Sequence, residues 1–437
     1  MMLIYIVNFV ESKNLNKSSK IIDTANIDSY IDKIEELRVL DFSHICIINK
    51  NIELLDKYQM KIISIEPYVL TDKLAEPFYF SQWEYDTRSI CLVKITTDDG
   101  IFGWGEGYGP ANVLKNGIEF LSQFIIGLNP IENDTIWSLM YRRTLDYARS
   151  GILMAAVSAI DVALWDVKGK ALGLPVYNLL GGKRRDYLEP YATGLYFSKG
   201  EGLKQRLIDE ALIYKKLHFR GIKMKVGINI PTDIEYVHAV RDAIGPDLKL
   251  MIDSNHAYNL VEAIKLSKAL EDCNIFWFEE PVSPEYYSQY NELRQKTFIP
   301  IAGGECEYTR YGFNRLFQNK SVDIAQPDIC AAGGISEVKR IATLASIYGV
   351  KIIPHSWGTR IALSAAMHVA ATLDIEPGRL DMPEQLIEYD RTENALRDKL
   401  TKSVMTEQDG LIQIKDAPGL GVEVDENYLN YILNDNK

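Results

Sequence analysis

The sequence has few cysteines, and their arrangement argues against two common uses of that residue. The 437 residues contain five cysteines, an odd and scattered set with no CxxC pair. A disulfide framework needs paired cysteines and a structural zinc site needs clustered ones, so we expect neither. Cys306 and Cys330 flank motifs described below, and we interpret both as small buried residues.

Positive charge and long apolar runs are also scarce. The formal net charge is −12, which argues against a nucleic-acid or membrane-surface partner, since both present anionic surfaces. The apolar start, MMLIYIVNFV, is too short to span a bilayer and lacks the basic start and cleavage site of a signal peptide. Because 47% of the residues are apolar, the chain can bury a large core. We therefore expect a soluble cytoplasmic protein.

The first part of the chain changes character at Met60. Residues 1–59 are rich in Asn, Lys and Ile and carry no chemical motif, so we interpret them as an N-terminal extension of unknown role. Residues 60–182 read as strands followed by helices, which is typical of an α+β domain. The strands are expected near 61–70, 89–97 and 101–107, with an Asp98–Gly100 hairpin turn, and the helices at 113–126, 132–143 and 151–172.

Strands and helices alternate over residues 183–400. Eight predicted strands lie near 187–196, 221–226, 248–253, 275–279, 299–305, 322–326, 350–354 and 386–389. Such alternation predicts a parallel (β/α) barrel. The tail, residues 401–437, contains two strand-like runs, DGLIQI and PGLGVEV, and we expect it to return to the first domain.

Three acids end successive predicted barrel strands. Asp253, Glu279 and Glu305 follow one another at equal intervals of 26 residues, which places their side chains at one mouth of the barrel. Any one of them could instead cap the following helix, but three at matched positions favour a metal site. Oxygen ligands in that number suit Mg²⁺ or Mn²⁺ rather than zinc.

Residues next to these acids are given different expectations. Asn255, two residues after Asp253, can aim a hydrogen-bonding group at the same mouth. Glu280 follows Glu279 and is expected to point the other way, in a supporting or structural role. His256 is out of phase with Asp253 and Asn255, so we expect it to be a loop residue.

Basic residues on other predicted strands are candidates for acid/base chemistry. Lys223 and Lys225 share one face of a strand. Repulsion between the two lysines, together with a nearby cation, would lower the pKa of one of them and make it a usable general base. A lone KxK is more often explained by a solvated strand edge. Asp328 and His355 end neighbouring strands, so Asp328 can hold the His355 ring in one tautomer. Glu388 ends the last apolar run, LIE, and is expected to be either a substrate contact or a surface residue.

Together these motifs resemble the enolase superfamily and, within it, the mandelate racemase subgroup. The resemblance rests on KMK at Lys223–Lys225, DSN at 253–255, EEP at 279–281, GE at 304–305, PD at 327–328 with the glycines at 333–334, and His355. The segment SAIDVALWDVKGKALGLPVYNLLGG, residues 158–182, is similar to that family's domain junction.

The resemblance implies both a fold and a set of roles. The fold would be a modified TIM barrel with an N-terminal α+β capping domain completed by the C-terminal tail. One Mg²⁺ would be held by the three acids at 253, 279 and 305. Lys225, with Lys223 beside it, would be one acid/base catalyst, and His355 with Asp328 the other. Glu388 would hydrogen-bond the substrate carboxylate, as a donor if it is protonated.

Departures from other subgroups narrow the interpretation. Muconate lactonising enzymes and dipeptide epimerases carry a catalytic lysine at the place of Asp328, so Asp328 argues against those two functions. Galactonate- and mannonate-type dehydratases carry a histidine at the place of Asn255, so Asn255 argues against those dehydratases. Longer segments such as DSNHAY, FEEPVSPE, IPHSWGT and IEYDRTENALR are closer to members that act on acid sugars and their lactones. Two loops of the capping domain, residues 77–85 and 105–111, are expected to close over the barrel mouth. Trp83 in the first loop and Tyr108 in the second would contact the substrate or pack between domains.

Three functions stay open on the sequence alone. The leading one is Mg²⁺-dependent removal of the proton α to the carboxylate of an acid sugar or its lactone, with β-elimination to a 3-deoxy-2-keto acid, as in an aldarolactone cycloisomerase or an aldarate dehydratase. The second is racemisation or epimerisation of a 2-hydroxy acid by the same two bases. The third is a non-catalytic binding protein on this fold. We also expect a homo-oligomer.

Overall fold

A computed structural model describes residues 60–375, 380, 384–402, 407–408 and 410–435, all within one compact unit, Met60–Lys437. The predicted N-terminal extension, residues 1–59, lies outside the described residues. Within them, no helix is both long and apolar enough to cross a membrane.

An antiparallel three-stranded sheet opens the described chain. Its strands are β1 (Ile62–Phe80), β2 (Trp83–Thr97) and β3 (Phe102–Gly107), in that order. The turn at residues 98–100 joins β2 to β3, as predicted. Residues 77–85, expected to be a loop, instead form the tip of the β1–β2 hairpin, because Phe78 pairs with Tyr85 across the strands and their rings lie 5.5 Å apart.

Three helices pack on this sheet where its sequence is rich in glycine. They are α1 (Ala111–Ile125), α2 (Asn133–Arg143) and α3 (Ile152–Leu172), close to the predicted bounds. A Cβ atom on Gly103 or Gly105 of β3 would collide with the α3 carbonyl oxygens of Ala163 or Ala159. The glycines of IFGWGEG therefore allow the strand and the helix backbones to touch.

Eight parallel strands form the barrel, and all eight were predicted. They are β4 (Tyr187–Thr193), β5 (Gly221–Lys225), β6 (Lys249–Asp253), β7 (Ile275–Glu279), β8 (Ile301–Gly303), β9 (Ile324–Ala325), β10 (Lys351–Ile352) and β11 (Leu386–Asp390). The hydrogen-bonded order runs from β10 down to β4, and β11 pairs with β4. Between β10 and β11 the Gln385 amide donates to the carbonyl oxygen of Ile352 at 2.9 Å, so a side chain bridges this seam.

A short helix, α4 (Val176–Leu179), precedes the first barrel strand, and one helix follows each of the eight strands. These are α5 (Leu203–Lys216), α6 (Ile230–Ile244), α7 (Leu260–Ala269), α8 (Tyr287–Arg294), α9 (Thr309–Gln318), α10 (Gly334–Tyr348), α11 (Arg360–Ala371) and α12 (Ala395–Lys399), with a 3-10 turn at Glu271–Cys273. One buried cluster takes residues from the barrel strands or their immediate ends, namely Tyr191, Met251, Trp277, Ala302, Ile324, Ile353 and Leu386.

The C-terminal tail contacts both parts of the molecule. Strands β12 (Glu407–Gln408) and β13 (Leu411–Gln413) form a hairpin, and β13 pairs with barrel strand β4. The second predicted strand, residues 418–424, is wrong, because this segment makes only isolated bridges. A helix that was not predicted, α13 (Glu426–Asp435), follows, and Glu426 lies 3.5 Å from Lys94 of β2.

Buried acids from the first domain cap two barrel helices. Asp161 of α3 accepts from the backbone N–H of Ser336 at 2.9 Å, at the start of α10. Glu106 of β3 accepts from the N–H groups of Thr359 at 3.0 Å and Ala362 at 3.3 Å, at the start of α11. Helix N-termini leave such groups without intrahelical partners and favour negative charge. These contacts fix the two loops that carry the downstream site residues.

Candidate active site

The two lysines of β5 lie inside the barrel at the carboxyl end of the strand. Lys223 is 1% and Lys225 6% exposed. Lys223 Nζ lies 2.5 Å from Glu279 Oε1 and 2.8 Å from Glu388 Oε1. Lys225 Nζ lies 2.5 Å from Asp253 Oδ2 and 2.7 Å from Asn255 Oδ1. The solvated-edge alternative for these lysines is therefore wrong.

The pKa values of these lysines differ from the sequence-based expectation. Burial acts to lower the pKa of both, but the charges of Glu279 and Glu388 raise that of Lys223 and the charge of Asp253 raises that of Lys225, so both end above the usual range. The predicted lowering assumed a nearby cation as well as repulsion between the lysines. Among the protein's own groups, attraction to the carboxylates exceeds that repulsion.

Acids outnumber bases in this cluster. In the part of the chain that the structure describes, five carboxylates form ion pairs with three basic groups, Lys223, Lys225 and His355; the five are those of Asp253, Glu279, Glu305, Asp328 and Glu388. With every base protonated and every acid ionised, the cluster keeps two negative charges, which one divalent cation would neutralise. Burial raises the pKa of Glu279, the charge of Lys223 lowers it and the charge of Asp253 raises it, and the result is a pKa of about 7. The donor set thus fits a hard cation held by oxygen.

The three predicted metal ligands are not drawn together in this arrangement. Among the described residues, Asp253, Glu279 and Glu305 are not a group whose ligand atoms all lie within 4.8 Å of one another. Asp253 and Glu279 face the lysines instead, and Glu305 Oε2 lies 3.5 Å from His355 Nε2. Ion pairs with the bases explain this placement, since each carboxylate turns to the nearest positive charge.

His355 and Asp328 form the predicted dyad. His355 Nδ1 lies 2.6 Å from Asp328 Oδ2, and Asp328 Oδ1 accepts from the backbone N–H of Cys330 at 2.6 Å. The ring therefore holds its Nδ1 hydrogen toward Asp328 and turns Nε2 to the cavity. Burial acts to lower the pKa of His355, but the charges of Glu305 and Glu388 and the contact with Asp328 raise it to about 10.

Glu388 is buried and ionised in this structure. Its Oε1 accepts from the Thr193 hydroxyl at 2.6 Å and its Oε2 from the backbone N–H of Ser356 at 3.1 Å. Burial acts to raise the pKa of Glu388, but Lys223 and His355 lower it to about 2. The burial of Glu388 contradicts the surface-residue alternative, and its lowered pKa favours a hydrogen-bond acceptor over a protonated donor.

One cavity of about 260 Å³ joins these groups. Lys223, Lys225, Asn255, Glu305, His355 and Glu388 line it, together with Tyr108, whose ring lies 5.4 Å from that of His355. Lys225 and His355 follow β5 and β10, which lie three places apart around the ring of strands. The two bases thus reach one cavity from separated parts of the barrel.

Trp83 lies outside the cavity lining, so this arrangement supports neither the substrate contact nor the packing between domains that we considered for it. It is the first residue of β2, at the hairpin tip, and is 64% exposed. Its neighbours Gln82 and Tyr85 line the cavity instead, and Gln82 Nε2 donates to the carbonyl oxygen of Asn255 at 2.5 Å. The hairpin tip thus contacts the loop after β6, a placement that strand periodicity alone does not reveal.

Aromatic residues from separate segments complete the lining, and sequence reasoning missed them. Trp357 lies two residues after His355 in the motif IPHSWGT. The Tyr85 ring packs against the Trp357 ring at a tilt of 54°, with the centroids 4.9 Å apart. Tyr196, after β4, and Phe80, in β1, both lie near the Lys225 ammonium group. The one available signal was the position of Trp357 two residues after the candidate base.

The expectations for neighbouring residues have different outcomes. His256 lies in the loop after β6, as expected, and also lines the cavity. Cys306 is exposed, whereas we expected it to be buried, and Cys330 is buried as predicted. Glu280 is buried as a supporting residue would be, and its Oε2 lies 3.0 Å from His256 Nε2. The chain turns sharply after β6 and β7, with φ of 66° at His256 and 43° at Glu280, which breaks the strand alternation that the expectations assumed.

Two family models cover most of the chain. Residues 64–181 match the mandelate racemase/muconate lactonizing enzyme N-terminal domain, and residues 206–428 match the enolase C-terminal domain-like family.

Individual relatives agree with these matches. The D-galactarolactone cycloisomerase of Agrobacterium fabrum is 38% identical over 370 residues, which cover 85% of this chain and 98% of that protein. The crystal structure of the 3,6-anhydro-D-galactonate cycloisomerase from Zobellia galactanivorans has 55% identity and a TM-score of 0.79, covering 85% of this chain and 99% of that one.

A further solved structure contains a metal ion. This is an L-talarate/galactarate dehydratase liganded with Mg and L-glucarate, with 27% identity and a TM-score of 0.76, covering 86% of this chain and 93% of that one. The family matches, the curated relative and the observed fold agree. The chain belongs to the mandelate racemase/muconate lactonizing enzyme family of the enolase superfamily.

Proposed function

We propose that this protein is a Mg²⁺-dependent acid-sugar cycloisomerase that opens the ring of a 3,6-anhydrogalactonate to give a 3-deoxy-2-keto acid. The observation that carries the proposal is the single cavity lined by Lys225, His355 and Glu305. The substrate class is taken from the relative at 55% identity, which acts on 3,6-anhydro-D-galactonate.

The reaction needs two groups that transfer protons and conserves every atom. One base removes the hydrogen on C2, next to the carboxylate. The C3–O bond of the anhydro ring then breaks, the electron pair of the C2–H bond becomes a C2–C3 double bond, and the other group protonates the released ring oxygen. The resulting enol becomes the 3-deoxy-2-keto acid, so the product is an isomer of the substrate.

Lys225 and His355 are the two groups that we assign to these transfers. Each presents one nitrogen to the cavity, and each is held from behind, Lys225 by Asp253 and Asn255 and His355 by Asp328. Fixed positions reduce the entropy lost in reaching the reacting geometry. Lys223, beside Glu279 and Glu388, supplies positive charge near the substrate carboxylate.

Asp253, Glu279 and Glu305 are the residues that we assign to Mg²⁺. When bound, the ion supplies positive charge that stabilises the second negative charge developing on the substrate carboxylate. The surplus of carboxylates over bases around the cavity supports this assignment. Manganese, with the same preference for oxygen ligands, would replace it.

Trp357 is a candidate for recognising the sugar hydroxyls. Its ring lines the cavity, and its buried Nε1–H has no hydrogen-bond partner among the described residues. A buried donor without a partner costs free energy unless a ligand accepts from it. A hydroxyl or ring oxygen of an acid sugar is such an acceptor.

A substrate panel tests the proposal. The protein is incubated with Mg²⁺ and, in turn, 3,6-anhydro-D-galactonate, D-galactarolactone, D-galactonate and arabinonate, and 2-keto acid is measured with the product mass. We expect the highest kcat/KM with the anhydro sugar and a product of unchanged mass. No keto acid from any substrate would overturn the proposal, and a product lighter by one water would assign a dehydratase instead.

Running the same panel in D₂O tests the racemase/epimerase alternative. The cycloisomerase incorporates deuterium at C3 of the keto acid during tautomerisation. Exchange of the C2 hydrogen without any keto acid would favour the alternative and contradict ring opening.

A further inference from the structure

A second cluster of side chains, beside the predicted Mg²⁺ ligands, has the composition of a softer metal site. His256 Nε2 lies 3.0 Å from Glu280 Oε2 and 3.6 Å from Cys306 Sγ. One ligand atom of each residue lies within 4.8 Å of the other two. The residues follow three successive strands, β6, β7 and β8, so the barrel itself brings them together.

The His256 ring is oriented to coordinate through Nε2. Its Nδ1 lies 3.3 Å from the carbonyl oxygen of Val282. That oxygen accepts the hydrogen of the Nδ1–H tautomer, and in this tautomer Nε2 carries the lone pair that a metal ion needs. A backbone carbonyl holding the opposite ring nitrogen is the usual support of a metal-binding histidine.

Glu280 gives independent evidence for a ligand at this place. The residue is 1% exposed, and its Oε2 has no hydrogen-bond donor among the described residues. It lies 3.0 Å from His256 Nε2, which is an acceptor when the hydrogen of the neutral ring is on Nδ1. Two acceptors at this distance repel each other, whereas a cation between them converts the repulsion into attraction.

The separations match tetrahedral coordination. Zinc bonds of about 2.0 Å to nitrogen and oxygen and about 2.3 Å to sulfur place N and O about 3.3 Å apart and N and S about 3.5 Å apart at a tetrahedral angle. The corresponding distances here are 3.0 Å and 3.6 Å. Thiolate ligation selects zinc-like ions over Mg²⁺, which prefers oxygen.

We propose that His256, Glu280 and Cys306 bind Zn²⁺ or another thiolate-binding divalent ion at a site separate from the Mg²⁺ site. Cys306 is exposed, so an ion can enter from solvent, and it binds as the thiolate with release of its proton. His256 and Cys306 also line the catalytic cavity. Three protein ligands leave a fourth position for water or for a ligand in that cavity.

Cobalt titration tests the site without any assay of activity. The full-length protein, kept in excess Mg²⁺ to occupy the oxygen-ligand site, is titrated with Co²⁺ while the near-ultraviolet thiolate-to-cobalt absorption is recorded. We expect the band to saturate at one equivalent and to disappear when Zn²⁺ is added. Cys306→Ser should abolish the band, and His256→Gln should weaken Co²⁺ affinity by at least tenfold.

A more exposed cluster provides the matched control. His238, Asp272 and Cys273 also bring three ligand atoms within 4.8 Å, but the Asp272 side chain is 75% exposed. His238→Gln and Cys273→Ser should leave the band unchanged. Absence of the band in the unaltered protein, or a band that survives Cys306→Ser, would overturn the proposal. A band lost only in Cys273→Ser would move the site to the control cluster and would equally overturn it.

Discussion

At the scale of single residues, the cavity is defined by ion pairs between neighbours in space that are distant in sequence. Lys223 contacts acids at the end of β7 and in the middle of β11, and His355 contacts acids after β8 and β9. The residue types at strand ends could be predicted, because period-two alternation and strand ends are visible in sequence. The pKa directions could not, because they depend on which charge is nearest.

Lys225 and His355 should each be essential for product formation. Lys225→Ala and His355→Asn remove a group that transfers a proton, which typically contributes about 10²–10⁴-fold to the rate. Keto-acid formation is the measurement, with circular dichroism to confirm folding. Lys249→Ala is the control, since Lys249 begins β6 and pairs with Glu189 away from the cavity lining. Activity of Lys225→Ala within tenfold of the unaltered protein would contradict the assignment.

Trp357 and Trp83 should respond differently to the same substitution. Trp357→Phe keeps an aromatic ring but removes the unpartnered Nε1–H that we assign to the sugar hydroxyls. The KM for the acid sugar should therefore rise about tenfold, the equivalent of roughly 1.4 kcal/mol for one lost hydrogen bond. Trp83→Phe, at the exposed hairpin tip, should leave KM unchanged. Equal effects of the two substitutions would show that the cavity has been misassigned.

At the scale of elements, the barrel strands were predicted in number and order. The tip of the β1–β2 hairpin, residues 77–85, was expected to be a loop and not a pair of strands. The strands after residue 186 are short apolar runs ended by polar residues, a pattern that buried parallel strands produce. The tip of the β1–β2 hairpin depends on aromatic pairs such as Phe78–Tyr85 and on contact with the barrel. Such contacts between domains leave little trace in local periodicity.

Close packing of β3 on α3 should make Gly105 intolerant of a side chain. Its Cβ would meet the backbone oxygen of Ala159, which cannot rotate away. We expect Gly105→Ala to lower the free energy of unfolding by about 3 kcal/mol or more. Gly107→Ala, on the same strand, would meet mainly the flexible Leu114 side chain at 3.0 Å and should cost about 1 kcal/mol or less. Urea unfolding measures both, and equal losses would contradict this packing.

His368 in α11 should make stability depend on pH. Burial lowers the pKa of His368 to about 4 from its ordinary 6.5, against a raising effect of the Leu420 carbonyl. The unfolded chain therefore binds a proton that the folded protein refuses between pH 6.5 and 4, and stability falls as pH falls through this window, by up to roughly 3 kcal/mol.

His368→Asn isolates that contribution. The Tyr177 backbone N–H donates to His368 Nδ1 at 3.2 Å, and an asparagine oxygen can accept in its place without titrating. Urea midpoints measured from pH 7 to pH 4 should fall more steeply for the unaltered protein than for the variant. Parallel curves would contradict the assigned pKa.

At the scale of the whole molecule, two parts of the chain share one site. The first domain contributes Tyr108 and the hairpin tip, and the barrel contributes the acids and bases. The family and the barrel could be recognised from the spacing of strand-end motifs. The contribution of Gln82 and Tyr85, and the helix caps supplied by Glu106 and Asp161, needed the folded chain because they join segments separated by well over a hundred residues.

The measurement that tests the account most directly is a crystal structure with Mg²⁺ and an unreactive analogue of 3,6-anhydrogalactonate. We predict one ion about 2.1 Å from an oxygen of each of Asp253, Glu279 and Glu305, with Lys225 and His355 on opposite sides of the analogue's α-carbon. An ion bound by other residues, or both nitrogens on one side of that carbon, would contradict the account.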